Sequence, residues 1–235
     1  DALNTFIHWV EQLPYASIDG IWLYQLEVLG LYLSGGLVFY YFASRGLKNL
    51  LICLFSILLL GVYHVSMFWV DRPLDSIVFY NVRGCPAVHC IDNNGNSRIV
   101  YGNSLSDKRQ LYRVATNYWN HHQLLSPLEV TADYQDTALC CREQILSYHG
   151  RRICMVTDHR WRNKSAATPL YIDYLYLCKG YNGHLKELRL LFAPECIILD
   201  ASLSEHRKQL FEEECKQSGL RFISLSEKGS VRFLL

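Results

Sequence analysis

Leu50-Leu51-Ile52-Cys53-Leu54-Phe55-Ser56-Ile57-Leu58-Leu59-Leu60 carries no charge and no polar stripe. A helix on the surface of a soluble domain shows such a stripe. The run extends in both directions, from Leu47 to Val70. A second apolar run, Ile21 to Ala43, precedes it, and only Ser44-Arg45-Gly46 separates the two. A bilayer core of about 30 Å takes about 20 apolar residues as helix, and each run is long enough. The connector is too short for anything but a helical hairpin. A buried hairpin inside a large soluble core is the competing reading, and the absent polar stripe argues against it. Aromatic residues gather at the run ends (Trp22, Tyr24, Tyr40, Tyr41, Phe68 and Trp69), as at membrane interfaces.

Arg45 and Lys48 mark the hairpin tip as cytoplasmic. The flanks with Asp1, Glu11 and Asp19 on one side and Asp71 and Asp75 on the other then lie outside. Gln25, Glu27 and His64 fall within the runs. Ionisable groups in lipid are costly and face protein or water. Two readings stay open for Glu27: a polar pathway shared with other helices, or a side chain that snorkels to the near interface. Ser34-Gly35-Gly36 offers a small surface for another helix. Phe6, Ile7, Trp9, Val10 and Leu13 fall at helical spacing before Pro14 and predict an interfacial amphipathic helix.

The chain of 235 residues thus divides into a membrane-linked part, 1–70, and a soluble domain, 71–235. It opens at Asp1 without a secretory signal. Two helices alone make a poor transporter, so the reading is the C-terminal part of a larger polytopic protein, whose N-terminal remainder is one expected partner. Residues 71–235 carry 21 Lys and Arg against 18 Asp and Glu, a balance too even to identify a nucleic-acid partner. The local distribution says more. Arg142, Arg151, Arg152, Arg160, Arg162 and Lys164 fall in one stretch, with Tyr148, His149, His159 and Trp161 interleaved. Basic residues beside aromatics suit a single-stranded nucleic-acid backbone with stacked bases. A solvated basic loop has the same composition. Arg151, Arg152, Arg160, Arg162 and Lys164 are the candidate DNA-binding residues.

None of the nine cysteines forms a C-x-x-C pair, so a zinc ribbon is unsupported. Cys154, Cys178 and Cys196 sit in apolar runs and read as small hydrophobes. Cys85 and Cys90 are candidates for a disulfide if the domain is extracytoplasmic. There is no G-x-S-x-G, P-loop or G-x-G-x-x-G. Ser147-Tyr148-His149-Gly150 puts a serine near a histidine in sequence, which is not a triad.

The soluble domain alternates strands and helices. Strands are predicted at 76–80, 87–92 and 97–101, with Asn93-Asn94-Gly95-Asn96 turning between the last two. Ser106 and Asp107 predict a cap for a helix to about Asn120. Strands follow at 152–156 and 172–177, a helix over 185–192, and a buried strand at 196–200. Ser204 caps a helix to about Gln217, and strands at 221–224 and 230–235 close the chain. The fold class is α+β: a transmembrane hairpin followed by a layered domain of sheet and helices.

This order of elements resembles the C-terminal part of the ComEC family, membrane channels for DNA uptake in natural competence. The opening Trp9-Val10-Glu11-Gln12-Leu13-Pro14-Tyr15-Ala16 is similar to the stretch before the family's last helices. Ala193-Pro194-Glu195-Cys196-Ile197-Ile198-Leu199-Asp200, then Gly219-Leu220-Arg221 and Lys228-Gly229-Ser230-Val231, resemble the end of its metallo-β-lactamase-like domain. The resemblance implies ligand positions that this chain mostly lacks. No HxHxDH loop is present, and His121-His122 stands alone. Lys179-Gly180-Tyr181-Asn182 occupies the place of a double histidine. Of the set, Asp158 remains, in Thr157-Asp158. The implied domain is a degenerate, non-catalytic version of that fold, with no catalytic residue, no metal site and no cofactor. The implied location is the inner (plasma) membrane, with the domain outside the cytoplasm and single-stranded DNA as a partner. The rival readings are a membrane-tethered metal-dependent nuclease or hydrolase, and a membrane-anchored binding module without a DNA role.

Overall fold

The computed structural model describes Thr5 and residues 22–102, 108–131 and 133–235. The helix expected over 3–13, the flank of Asp1, Glu11 and Asp19, and the Ser106–Asp107 cap lie outside the described residues. The chain forms two compact units, residues 1–72 with 120–123, and residues 73–119 with 124–235.

In the first unit, α1 spans Gln25–Ser44 and α2 spans Leu47–Val70. At about 1.5 Å per residue they run about 30 and 36 Å, enough to cross a bilayer. Arg45 turns the chain in the left-handed region (φ +47°), and its N–H bonds the Tyr41 carbonyl at 2.7 Å. Glu27 is buried rather than snorkelling. Its Oε1 lies 2.7 Å from His64 Nδ1, and its Oε2 accepts the Tyr24 N–H at 2.9 Å. The Tyr24 hydroxyl donates to Asp71. Glu27 and His64 therefore pair with each other across the hairpin, as a low-dielectric setting requires. Ser34 is buried, whereas Gly35 and Gly36 face open space. The close approach is at Gly30 instead, where a Cβ would meet Leu60 Cδ1 at 2.3 Å.

The second unit holds two sheets. In the first, β1 (Ser76–Phe79), β2 (Ala87–Ile91), β3 (Ser97–Tyr101), β4 (Leu128–Val130) and the late strand β12 (Val231–Leu234) run in the order β12-β1-β2-β3-β4. Only β3 with β4 is parallel. In the second, a short antiparallel meander leads into parallel strands. The meander is β5 (Tyr134–Gln135), β6 (Leu139–Arg142), β7 (Ile145–Tyr148) and β8 (Arg151–Val156). Then β8, β9 (Leu170–Leu177), β10 (Phe192–Leu199) and β11 (Arg221–Ser224) lie parallel, giving the order β11-β10-β9-β8-β7-β6-β5.

Alternating side chains build three cores. Ile77, Phe79, Val88 and Cys90 of the first sheet meet Leu146, Ile153, Met155, Tyr176 and Ile198 of the second. The outer face of the first sheet packs under helix α3 (Lys108–His121) through Val78, Ile91, Ile99, Leu111, Ala115 and Trp119. The outer face of the second packs against α4 (Leu185–Arg189) and α5 (Glu205–Ser218) through Leu175, Leu177, Leu185, Leu188, Ile197, Phe211 and Cys215. The layers run helix, sheet, sheet, helix. A short α6 (Leu225–Lys228) leads into β12.

Local chemistry explains several details. Ser204 caps α5 through the Arg207 N–H, and Gly219 ends the helix at φ +64°. The helix expected over 185–192 stops at Arg189, because Phe192 is buried as the first residue of β10, paired with Leu170. Pro194 is tolerated in β10 because β11 pairs only from Cys196 onward, leaving an edge at the proline. The structure holds no disulfide among the nine cysteines. Cys85 and Cys90 belong to cores on opposite faces of the first sheet, which separates their thiols. Under α3, Trp119 Nε1 donates to the Tyr80 hydroxyl at 2.9 Å, and that hydroxyl lies 2.6 Å from His89 Nδ1. With Trp119 donating, the Tyr80 proton points to His89, which is held neutral; burial pushes its pKa down to about 3.

Candidate functional site

Parallel strands β8, β9 and β10 end in register, with Val156 opposite Leu177 and Leu177 opposite Leu199. The Cys178 N–H bonds the Val156 carbonyl and the Asp200 N–H bonds the Leu177 carbonyl, each at 3.0 Å. Thr157-Asp158, Cys178-Lys179-Gly180 and Asp200-Ala201 therefore lie side by side at one edge. Ligand sites of open parallel sheets form at this carboxyl end.

Asp158 is tied down locally. Both its oxygens accept from Arg160 Nε at 3.0 Å, and Oδ1 also accepts the Arg160 backbone N–H at 2.9 Å. Gln144 Nε2 reaches it at 3.4 Å while bonding Thr157 Oγ1. Partial burial pushes the Asp158 pKa up, but the Arg160 and Gln144 contacts outweigh it and leave the carboxyl below its ordinary value. Gln144 reaches in from a two-residue hairpin turn, Glu143-Gln144, with both φ angles positive (+47° and +71°).

Lys179 is exposed at the place where the resemblance sets a histidine. Gly180 next to it has φ +116°, and a Cβ there would sit 2.3 Å from the Thr157 carbonyl oxygen. Only glycine fits this close backbone approach. Beyond it the loop is stapled to α5. Arg207 Nη2 donates to the Gly183 carbonyl at 2.5 Å, and Glu214 takes the Leu185 N–H at 2.7 Å and lies 2.6 Å from His184 Nδ1.

Asp200 is the residue that sequence reasoning missed. It is 2 % exposed, accepts the Tyr176 hydroxyl at 2.5 Å and accepts the Ser202 N–H at 2.9 Å. Burial raises its pKa, against those hydrogen bonds. The only sequence signal was an aspartate closing an apolar strand.

A hydrolytic metal ion needs three or more N, O or S donors and an open position. Asp158 is engaged by Arg160, Asp200 by Tyr176 and Ser202, and the intervening loop presents Lys179, a cation. The residues do not fit such an ion. Among the described residues no three His, Cys, Asp or Glu side chains gather closely enough to hold one.

The structure does not bring the five candidate DNA-binding residues together. Arg151 and Arg152 begin β8, and Arg160 follows its far end, a separation of about 20 Å along six residues. Arg162 and Lys164 lie on the loop returning toward β9, where Trp161 packs on Phe192. Three of the cations face carboxylates: Arg151 on Asp173 at 2.6 Å, Arg160 on Asp158 at 2.9 Å and Arg162 on Glu187 at 3.7 Å. Lys164 lies 5.4 Å from the Trp161 ring centre. Arg152 is exposed, while its N–H serves Asp173.

The family model of the ComEC C-terminal domain matches residues 77–235. No curated protein and no solved structure matches the chain.

Proposed function

Because the chain belongs to the ComEC family, we propose that it supplies the last helices of a membrane channel for DNA uptake together with a non-catalytic soluble domain. The family match supports the role in competence and the membrane setting, and the two helices are long and apolar enough to span. The observation that carries the non-catalytic reading is the strand edge described above. There, ligand positions implied by the metallo-β-lactamase-like resemblance hold Lys179 and a glycine whose backbone abuts Thr157. The helix–sheet–sheet–helix layering supports a degenerate form of that fold. Other helices of the channel come from the N-terminal remainder of the protein. Arg45 and Lys48 at the hairpin tip support a cytoplasmic tip and an extracytoplasmic domain. One strand of DNA is the passenger, its charges met by basic residues.

The test uses the full chain purified in detergent. Zinc and manganese should be substoichiometric, and neither single- nor double-stranded DNA should be cleaved. A stoichiometric metal that disappears together with nuclease activity in Asp158→Ala would establish the rival, a tethered hydrolase.

A further inference from the structure

We infer that one end of the five-stranded sheet is a lipid-facing seat, through which the soluble domain rests on the bilayer. Four large apolar side chains stand exposed at that end: Leu74 (55 %), Leu125 (60 %), Leu128 (51 %) and Leu234 (61 %). They belong to one end by register. Ser76 pairs with Leu234 on one side and Ile91 on the other, and Arg98 pairs with Leu128. The turn after β2 is tied in as well, with Asn93 N–H on Asp75 Oδ1 at 2.9 Å and Leu125 N–H on the Gly95 carbonyl at 3.1 Å. The leucines thus reach from edge strand β12 to edge strand β4, about 20 Å at the usual strand spacing.

Chain connectivity selects the occupant. α2 ends at Val70, and Leu74 follows four residues later. Four residues extend about 14 Å at most, so this end of the sheet cannot leave the neighbourhood of the membrane surface. An apolar row of this kind beside a bilayer gains by entering the interface. The polar groups at the same end do not oppose it. Asp92 accepts from the Asn94 N–H, the Asn96 N–H and the Asn96 side chain, so its own charge is met within the turn. Arg98, just inside, is tied to Asp136 at 2.7 Å. Lys and Arg are absent from residues 74–76, 91–97 and 125–128, and Arg232, two residues before Leu234 on β12, donates its Nη2 to the Leu74 carbonyl at 3.4 Å. The surface is therefore suited to the apolar interface of a bilayer and not to a polyanion.

This inference rests on the reading of α1 and α2 as membrane spans, and the test separates the two. An environment-sensitive fluorescent amino acid is placed at Leu58, Leu125, Leu128 or Asn81 in the full chain. Each variant is reconstituted in phosphatidylcholine vesicles containing nitroxide-labelled lipid. Leu58 lies mid-helix in α2, and Asn81 is exposed past the opposite end of β1. Lipid quenching at positions 125 and 128 should exceed that at 81 by about twofold or more, and should be unchanged at high salt, since the contact is apolar. If position 58 is quenched while 125 and 128 match 81, the seat is refuted and the span stands. If position 58 is not quenched, the span itself is refuted. Energy transfer between differently labelled copies at position 125, without lipid quenching, would assign the row to a second copy and also overturn the seat.

Discussion

Strands β8, β9 and β10 have a buried carboxylate at each end, and the two are held by opposite means. At the amino end, Asp173 receives the Arg151 guanidinium at 2.6 Å and the Arg152 N–H at 2.8 Å. At the carboxyl end, Asp200 is held by a tyrosine hydroxyl, Ser202 and backbone N–H groups, with no cation bonded to it among the described residues. The glycines differ in the same sense. Gly150 turns into β8 at φ +78° with open space around it, whereas Gly180 leaves β9 at φ +116° against a backbone carbonyl. The amino end is an ordinary rim whose charge is paired and half exposed. The carboxyl end is closed tightly around an acid without a counter-charge, in the place where open parallel sheets keep their sites.

The largest effect should come from the glycines. Gly180→Ala forces a side chain into a backbone oxygen that cannot rotate away, on top of a disfavoured φ. A loss of about 3 kcal/mol or more is expected. Gly150→Ala meets only the φ penalty, about 1 kcal/mol. Denaturant unfolding of both variants would measure the gap. Equal losses would mean that the carboxyl-end loop shifts freely, and the closed-edge description would fail.

Next in size is Tyr176→Phe, which removes the hydroxyl from buried Asp200 and should cost about 1–3 kcal/mol near neutral pH. Its cost should shrink in acid, because a protonated Asp200 no longer presents an unmet charge. The wild-type dependence has a definite sign. A folded pKa raised above 3.8 gives stability that is complete below 3.8 and is lost as pH climbs through the raised value. Asp200→Asn should remove that loss. Asp136 has the opposite sign. The Ala138 N–H and then Arg98 outweigh burial and hold its pKa down to about 2, so its contribution is lost as pH falls from 3.8 toward 2. Asp136→Asn should flatten that acid limb. Unfolding midpoints across pH check both, and a limb unmoved by its own substitution would refute the assignment.

Sequence reading reached the hairpin and the regular strands because their signals are local. A run such as Leu50–Leu60 states its setting by composition, and β1–β3 are framed by Asn93-Asn94-Gly95-Asn96. The meander β5–β7 was missed because its turn, Glu143-Gln144, takes positive φ without the asparagine or glycine that marks such turns. Phe192 drew the α4 prediction too far because Leu185, Leu188 and Phe192 keep helical spacing, and strand pairing with Leu170 overrides it. At the carboxyl edge, Asp158 and Lys179-Gly180 were legible by resemblance. Asp200 was not, since its significance comes from Tyr176, a residue 24 positions away on the neighbouring strand. The basic stretch shows what sequence proximity leaves out. Strand β8 separates Arg151 and Arg152 from Arg160, residues close in sequence.

That separation gives the smallest and most selective prediction. Two double variants divide the cations: Arg151→Ala with Arg152→Ala at the start of β8, and Arg160→Ala with Arg162→Ala on the loop that follows β8. For binding to single-stranded DNA, each phosphate that a cation no longer neutralises lowers the salt slope by about 0.7. Arg151 is already neutralised by Asp173, so the amino-end pair should reduce the slope by about 0.7 at most, from Arg152. The other pair stands near Lys164 in the chain, but Arg160 is engaged by Asp158. Its removal should reduce the slope by between about 0.7 and 1.4, with Arg162 contributing first because its carboxylate is farther, at 3.7 Å. Unfolding free energies of the Arg160–Arg162 pair should move by less than about 0.5 kcal/mol, as surface ion pairs contribute little. A larger slope change for the Arg151–Arg152 pair would mean that DNA favours the start of β8 over the loop that follows it. No change from either would mean that any passage of DNA past this domain does not use these arginines.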